Sequence, residues 1–240
     1  MKDEKGLTGS EMDYKDYYRD NRTYITQGNT RIESIITITK ELEPQNLLDV
    51  GCGNGYLLSQ LSSCTTSVLQ GVDVYDLMPE GWSYTSADIT AGLPFGNSGF
   101  DMVILGEVIE HVPNPDFLLE EIWRVLQPCG WVIITTPNLA SWTNRILLAF
   151  GIQPLFTETS SRTNLGRRFK ILGQGNKAQG HLKVFTSRSL KELVVLSGFE
   201  VKRTHGVPFS FPFPFSLVDR LFSRKASFAS GVLLLAQKPA

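Results

Sequence analysis

The chain has 240 residues, enough for one sizeable core and toward the upper end of what a single domain holds. Its composition of 42% hydrophobic and 20% charged residues is that of a soluble globular protein, and a formal net charge of −1 excludes a polyanion binder on average charge, leaving only local patches. Cys52, Cys64 and Cys129 have no metal-ligand spacing, the start (MKDEKGLTGSEMD) is charged without an apolar segment, and no run approaches the roughly 20 apolar residues of a membrane span, so a reducing, cytoplasmic setting is expected.

Residues 1–29 are polar, carry Tyr14, Tyr17, Tyr18 and Tyr24, and are expected to form a flap or a disordered start ahead of a domain over 30–240. A helix is predicted over 30–42, a strand over 46–50 (NLLDV), a helix over 55–63, and strands over 67–73, 82–86 and 100–105. A helix over 115–127, a strand over 130–136 and helices over 139–150 and 187–197 follow, then strands over 199–205 and 231–237. Ser189 and Glu192 form an S-x-x-E start signal for the last helix, and Gly198 is placed to end it. The strands at 46–50, 100–105 and 130–136 are nearly continuous apolar runs, as for strands buried on both faces of a mainly parallel sheet. The alternation argues a doubly wound α/β fold of seven strands, with functional residues just after strands one to four. Two segments break it: 151–182, a long connection expected to act as a lid or acceptor loop, and 206–229, an apolar insertion containing VPFSFPFPFSLVDRLFSRK.

The stretch LLDVGCGNG ends a strand in Asp49 and turns through Gly51, Gly53 and Gly55 into a helix. Such turns admit a nucleotide cofactor, because glycine permits the sharp turn and the close approach of ligand atoms. A dinucleotide turn spaces its third glycine one residue later, where Tyr56 stands, and an acid beside a pyrophosphate is unfavourable. Asp49 suits a cationic amino group instead, and S-adenosylmethionine (SAM) carries a sulfonium, an ammonium and a carboxylate that the helix amino terminus would receive. Asp73, 22 residues beyond Gly51, ends the second strand where an acid bonds ribose hydroxyls; Asp88 in SADIT is placed to accept from an adenine amino group, with Ile89 against the ring. Cys52, between glycines, is expected to pack and not to pair.

These stretches together, with FDMVILGEVIEHV and LQPCGWVIITTPN, resemble the ordered motifs of class I SAM-dependent methyltransferases over roughly residues 30–205. The resemblance implies a Rossmann-like fold and cofactor contacts at Asp49, Gly51, Cys52, Gly53, Gly55, Asp73, Val74, Asp88, Ile89 and Gly106.

GEVIEHVPNPDF follows the fourth strand. One helical turn over 107–111 would set Glu107, Glu110 and His111 on one face. That set suits His111 as a general base oriented by a glutamate, or a divalent cation (Mg²⁺, Mn²⁺ or Zn²⁺), with His181 of GHLKVF as a fourth ligand. E-x-x-E-H with a downstream histidine is similar to ubiquinone-pathway O-methyltransferases and to small-RNA 2′-O-methyltransferases, in which the resemblance implies a metal that positions a hydroxyl. It also resembles many small-molecule methyltransferases for which no metal is assumed.

Between Glu158 and Glu192 no acid occurs, while Arg162, Arg167, Arg168, Lys170, Lys177, Lys183, Arg188 and Lys191 do. This is either a solvated basic loop or a lid for an anionic acceptor, and isolated Phe169 and Phe185 disfavour RNA. The phenylalanines at 209, 211, 213 and 215, flanked by Arg220, Arg224 and Lys225, are expected to pack on the sheet or line an acceptor pocket, the alternative being contact with anionic lipid. The amino-terminal tyrosines and Arg31 are expected to cover the cofactor. The leading expectation is a methyltransferase for a small-molecule or lipid-linked acceptor, at oxygen; the alternatives are a metal-assisted RNA ribose methyltransferase and a SAM-binding module without turnover. An NAD-dependent oxidoreductase is disfavoured by the glycine spacing and by the lack of Tyr-x-x-x-Lys after strand four.

Overall fold

The computed structural model describes residues 29–160, 163–166 and 178–240. In chain order these contain α1 (Thr30–Leu42), β1 (Asn46–Val50), α2 (Tyr56–Ser62), β2 (Val68–Asp73), β3 (Tyr84–Ser86), β4 (Phe100–Gly106), α3 (Pro115–Val125), β5 (Leu126–Pro137), α4 (Trp142–Ala149), α5 (Ser187–Leu196), β6 (Glu200–Val207), α6 (Phe215–Phe222) and β7 (Gly231–Gln237). The strands form one sheet in the order β3-β2-β1-β4-β5-β7-β6, with only β7 running against its neighbours. This is the doubly wound, mainly parallel sheet that the alternation implies.

Strand residues alternate between two helix-covered faces. Leu47, Met102, Ile104, Ile133 and Leu235 pack under α1 and α2, against Ile35, Ile38, Leu58 and Leu61. Leu48, Val103, Leu105, Val132 and Leu234 face the other way, against Leu118 and Ile122 of α3 and Leu190 and Val194 of α5. Because successive strand side chains point to opposite faces, a strand covered twice must be apolar throughout, which is why β1, β4 and β5 carry unbroken apolar runs.

Local chemistry sets the helix ends. The Asn29 side chain accepts from the Ile32 amide at 3.0 Å to start α1, and Asn114 accepts from the Phe117 amide at 3.2 Å ahead of Pro115 in α3. Helix α5 starts differently from its sequence signal. Thr186 caps it in a reciprocal box with Ser189, while Glu192 instead pairs with Arg188 at 2.8 Å; Gly198, at φ +93, follows the end as expected. Helix α3 stops at Val125, not 127, because Leu126 turns extended and joins β5 opposite Phe100. Helix α4 starts at Trp142, not 139, since Asn138 Oδ1 holds the Ala140 amide and Ser141 caps. The third strand begins at Tyr84, not 82, and the 206–229 segment comprises the end of β6, a loop and α6. All three cysteines are free thiols, with Cys52 packed beneath Gly71. Among the described residues no helix is long and apolar enough to cross a membrane.

Strand order reverses between β1 and β4: the chain proceeds outward from β1 through β2 and β3, then crosses to β4 and β5. The carboxyl ends of β1 and β4 therefore frame a crevice, the position where open α/β sheets bind ligands.

Candidate active site

The β1 side of the crevice is the glycine turn. Gly51, Gly53 and Gly55 all have positive φ (73°, 55° and 72°), conformations that strain any residue with a side chain. At Gly51 a Cβ would also stand 2.4 Å from Val108 Cγ2, so the turn and the segment after β4 touch directly. Asp73 locks the turn to β2: Oδ2 accepts from the Gly53 amide at 2.9 Å and Oδ1 from the Tyr75 amide at 3.2 Å. Each oxygen keeps a second lone-pair direction, the capacity ribose hydroxyls need. Val74 lies beside it, its carbonyl accepting from Ser86 Oγ at 3.3 Å.

The amides expected to receive a carboxylate are differently engaged. Those of Gly51 and Cys52 both bond the Val72 carbonyl, at 2.8 and 3.2 Å, and that of Tyr56 bonds Asn54 Oδ1 at 3.2 Å. The positive group here is Arg31 of α1, a buried side chain whose Nη1 lies 3.5 Å from Thr135 Oγ1 and against Gly106, where a Cβ would come within 3.1 Å of it. Gly106 is thus needed to let the guanidinium reach the end of β4. Burial pushes the Asp49 carboxyl up to about 7, partly offset by Arg31 and reinforced by Asp73. An acid half-neutral at neutral pH, beside a buried arginine, is arranged for a ligand bearing both an ammonium and a carboxylate.

Farther along, Asp88 Oδ1 accepts from the Thr90 amide and hydroxyl at 3.0 and 2.6 Å, and Ile89 packs partly buried against the core. In this structure Asp88 shapes its own loop at the end of β3.

The β4 side differs from the single helical turn expected. Glu107 takes φ +59 with its amide on the Thr135 carbonyl at 3.0 Å, and a tight turn closes from the His111 amide to the Val108 carbonyl at 2.9 Å. This corrects the shared-face reading: Glu110 and His111 come together with His181, with ligand atoms all within 4.8 Å of one another, and Glu107 stands outside that cluster. Glu107 acts on it through charge.

Glu110 is buried, and burial followed by the Glu107 charge pushes its carboxyl well above the usual carboxylate range. Its Oε2 accepts from Thr136 Oγ1 at 3.0 Å, while Oε1 has no hydrogen-bond partner among the described residues and lies 3.9 Å from His111 Nε2. A buried carboxylate oxygen left without a partner costs about 1–3 kcal/mol, and a water, an ion or a ligand atom satisfies such a group. His111 Nδ1 is 3.2 Å from the Gly180 carbonyl, and His181 Nδ1 is 3.1 Å from the Phe156 carbonyl. Carbonyls only accept, so both Nδ1 atoms carry protons and both rings, when neutral, present their lone pairs at Nε2. Burial and then the facing His181 ring, 4.8 Å away, lower the His111 pKa to about 4.

One residue beside the cluster escaped the sequence reading. Glu158 figured there only as the edge of an acid-free window, yet its buried carboxylate takes the Gln179 amide at 2.5 Å and the Gly180 amide at 2.7 Å. It joins the two ends of the segment after α4 and sits 3.9 Å from His181 Nδ1. Leu182 and Lys183 also donate to the Glu110 carbonyl, at 2.8 and 3.0 Å, so this segment returns directly onto the turn after β4. A carboxylate meeting amides 21 and 22 residues on leaves no spacing signature. Arg162, Arg167, Arg168, Lys170, Lys177 and Phe169 lie outside the described residues, as do the amino-terminal tyrosines. Phe185 is buried in the core.

A methyltransferase-domain family model matches residues 20–204. The chain is similar to a malonyl-[acyl-carrier protein] O-methyltransferase of Hahella chejuensis, 28% identical over 43% of this chain and 40% of that protein. It is also similar to a ubiquinone biosynthesis O-methyltransferase of Rhizobium johnstonii, 26% identical over 71% of this chain and 66% of that protein. The chain thus spans from two fifths to just under two thirds of the length of these relatives. In fold it resembles 1,6-didemethyltoxoflavin-N1-methyltransferase of Burkholderia thailandensis, solved with 1,6-didemethyltoxoflavin and S-adenosylhomocysteine. The TM-score is 0.61 at 18% identity, over 95% of this chain and 86% of that one.

Proposed function

The chain belongs to the class I SAM-dependent methyltransferases, and we propose that it methylates an oxygen of a small-molecule acceptor with an apolar body. The reading is carried by one juxtaposition: the Arg31 charge acts on both Asp49 and Glu110, which brings the Asp49–Asp73 group and the Glu110–His111–His181 cluster to one site. Asp73 receives the ribose hydroxyls, Arg31 the carboxylate and Asp49 the ammonium of the cofactor, which aims the methyl over Gly106 toward the second group. Transfer of a methyl from sulfonium to a neutral hydroxyl requires a proton to leave, and much of the barrier reduction comes from holding the oxygen in line with the methyl. Oxygen is favoured as the acceptor atom by the cluster's proton-handling groups and by the two O-methyltransferase relatives. Phe156, edge-on to the His181 ring at 5.7 Å and to Phe209 at 5.1 Å, places an apolar wall beside the reacting position and supports an apolar acceptor body.

How the proton leaves has two readings, and the orphaned Glu110 Oε1 favours the second. In the first, His111 takes the proton. It is neutral, the right form, but a pKa near 4 makes it a weak base at neutral pH. In the second, Glu110 Oε1 and the two Nε2 atoms hold a divalent cation. Tetrahedral ligands stand roughly 3.3 Å apart; Glu110 Oε1 and His111 Nε2 are already 3.9 Å apart, and one ligand atom from each of the three residues lies within 4.8 Å of the others, so binding would draw the set together. The carbonyls behind each Nδ1 fix the tautomer such a site needs, and mixed O/N donors suit Zn²⁺ or Mn²⁺. A cation there would polarise the acceptor hydroxyl and ease its ionisation.

Calorimetric titration with SAM and S-adenosylhomocysteine, on the wild type and Asp73→Ala, is the direct test. Saturable binding that the variant weakens strongly supports the reading and licenses a screen of hydroxyl-bearing acceptors. Absence of binding in the wild type would overturn it.

A further inference from the structure

Helices α4 and α6 meet through side chains. Trp142 at the start of α4 stacks on Phe222 at the end of α6, 5.5 Å between centroids, while Leu147 shares a cluster with Phe215 at the start of α6. Asp219 cements the pair from within: fully buried, it accepts from Trp142 Nε1 and the Phe209 amide, both at 2.7 Å, and from Ser230 Oγ. The outward side of the pair is apolar. Phe213 is 80% and Phe150 76% exposed, and Leu148, Leu217 and Leu221 are each more than half exposed. Leu217 and Leu221 are four residues apart and so share one face of α6; Arg220 lies on the same helix, and Arg224 and Lys225 follow in the turn just beyond its end.

We infer that this α4–α6 face docks on the surface of an anionic lipid bilayer. Charge selects that occupant. Arg145, Arg220, Arg224 and Lys225 are all exposed around the apolar side chains, and over residues 139–157 and 206–229 the sole acid is Asp219, sequestered in the interior. Leucine and phenylalanine flanked by cations, with no exposed acid, match an interface whose headgroups are negative and whose acyl region begins a few ångströms below. A second copy of the chain would bring the same four cations against themselves. The face also continues inward: Leu147, Leu155, Phe156 and Phe211 form one buried cluster beneath it, and Phe156 reaches His181. The docking surface and the catalytic crevice therefore share a wall, although docking itself does not depend on the activity proposed above.

The test is co-sedimentation of the full chain with vesicles of equal phosphatidylcholine and phosphatidylglycerol, and with phosphatidylcholine alone. Measurements at about 0.1 M and about 1 M salt vary the screening length from about 10 Å to about 3 Å. Binding to the anionic vesicles at low salt, lost at high salt and weak on neutral ones, is expected. Arg220→Gln with Arg224→Gln should weaken it by about tenfold or more; Leu217→Ser with Leu221→Ser should weaken it comparably, with SAM affinity unchanged in both. The proposal is overturned if the wild type ignores anionic vesicles at low salt, or if both double variants bind as well as it does. It is equally overturned if sedimentation equilibrium shows a dimer that Leu217→Ser with Leu221→Ser dissociates, since a second copy then covers the face.

Discussion

The two sides of the crevice are built by opposite means. The β1–β2 side is backbone held by short-range sequence: three glycines at positive φ, and one carboxylate fastening an amide 20 residues before it. The β4–β5 side is assembled from side chains distant in sequence, with His181 brought 70 residues back to His111 and Glu158 closing the approach. The first side is shaped by backbone conformation; the second concentrates titratable groups that burial and neighbouring charge shift from their ordinary values. On the function proposed above, cofactor geometry would rest on the glycine turn, and acceptor chemistry on groups that a change in charge can retune.

This contrast predicts where damage is greatest. Gly51→Val, which meets Val108 and a left-handed backbone at once, should abolish SAM binding in calorimetry. Asp73→Ala should weaken it at least about a hundredfold, since charge-assisted hydrogen bonds contribute about 1.5–3 kcal/mol each. Either variant binding like the wild type would remove the cradle from the cofactor site.

Smaller effects belong on the other side. His181→Ala should lower kcat about 10–100-fold, in the range of perturbed metal and base sites, while SAM affinity stays unchanged; a matching loss of SAM affinity would merge the two sides into one. If a cation is held, Zn²⁺ or Mn²⁺ titration should show a binding isotherm that His181→Ala removes.

Asp49 yields a pH dependence of intermediate size. Its carboxyl is raised to about 7 in the free protein, and the cofactor's ammonium favours the charged form, so binding should release a proton near neutral pH. SAM affinity should be flat above that pH and fall up to about tenfold per unit below it. Calorimetry in two buffers of different ionisation enthalpy measures the proton; no buffer dependence at pH 6.5 would place the ammonium elsewhere.

Glu158→Gln carries the mildest expected change. One amide oxygen replaces two acceptors, so one of the Gln179 and Gly180 amides meets a donor instead. A several-fold loss of kcat is expected, with faster hydrogen exchange at those two amides and no change in SAM affinity. Unaltered exchange would show that the junction holds without it.

Pattern and spacing by themselves determined the doubly wound sheet, since strands covered on both faces must be apolar throughout, and they located the glycine turn, since its glycines and acids are contiguous or end adjacent strands. Element ends shifted by a few residues where a competing partner existed, as when Leu126 joined β5 and Ser189 displaced Glu192 from the cap of α5. The acceptor side was legible only in part. The residue types at 107, 110, 111 and 181 were visible, but the left-handed Glu107 that breaks their helical phase was not. Arg31 and Glu158 take their roles from what the fold places against them: an opening at Gly106 and two amides across a returning segment. Local sequence sets conformations that depend on neighbouring φ and ψ. Tertiary structure alone decides which buried charge faces which, because that follows from chain crossing and burial, not from any spacing along the chain.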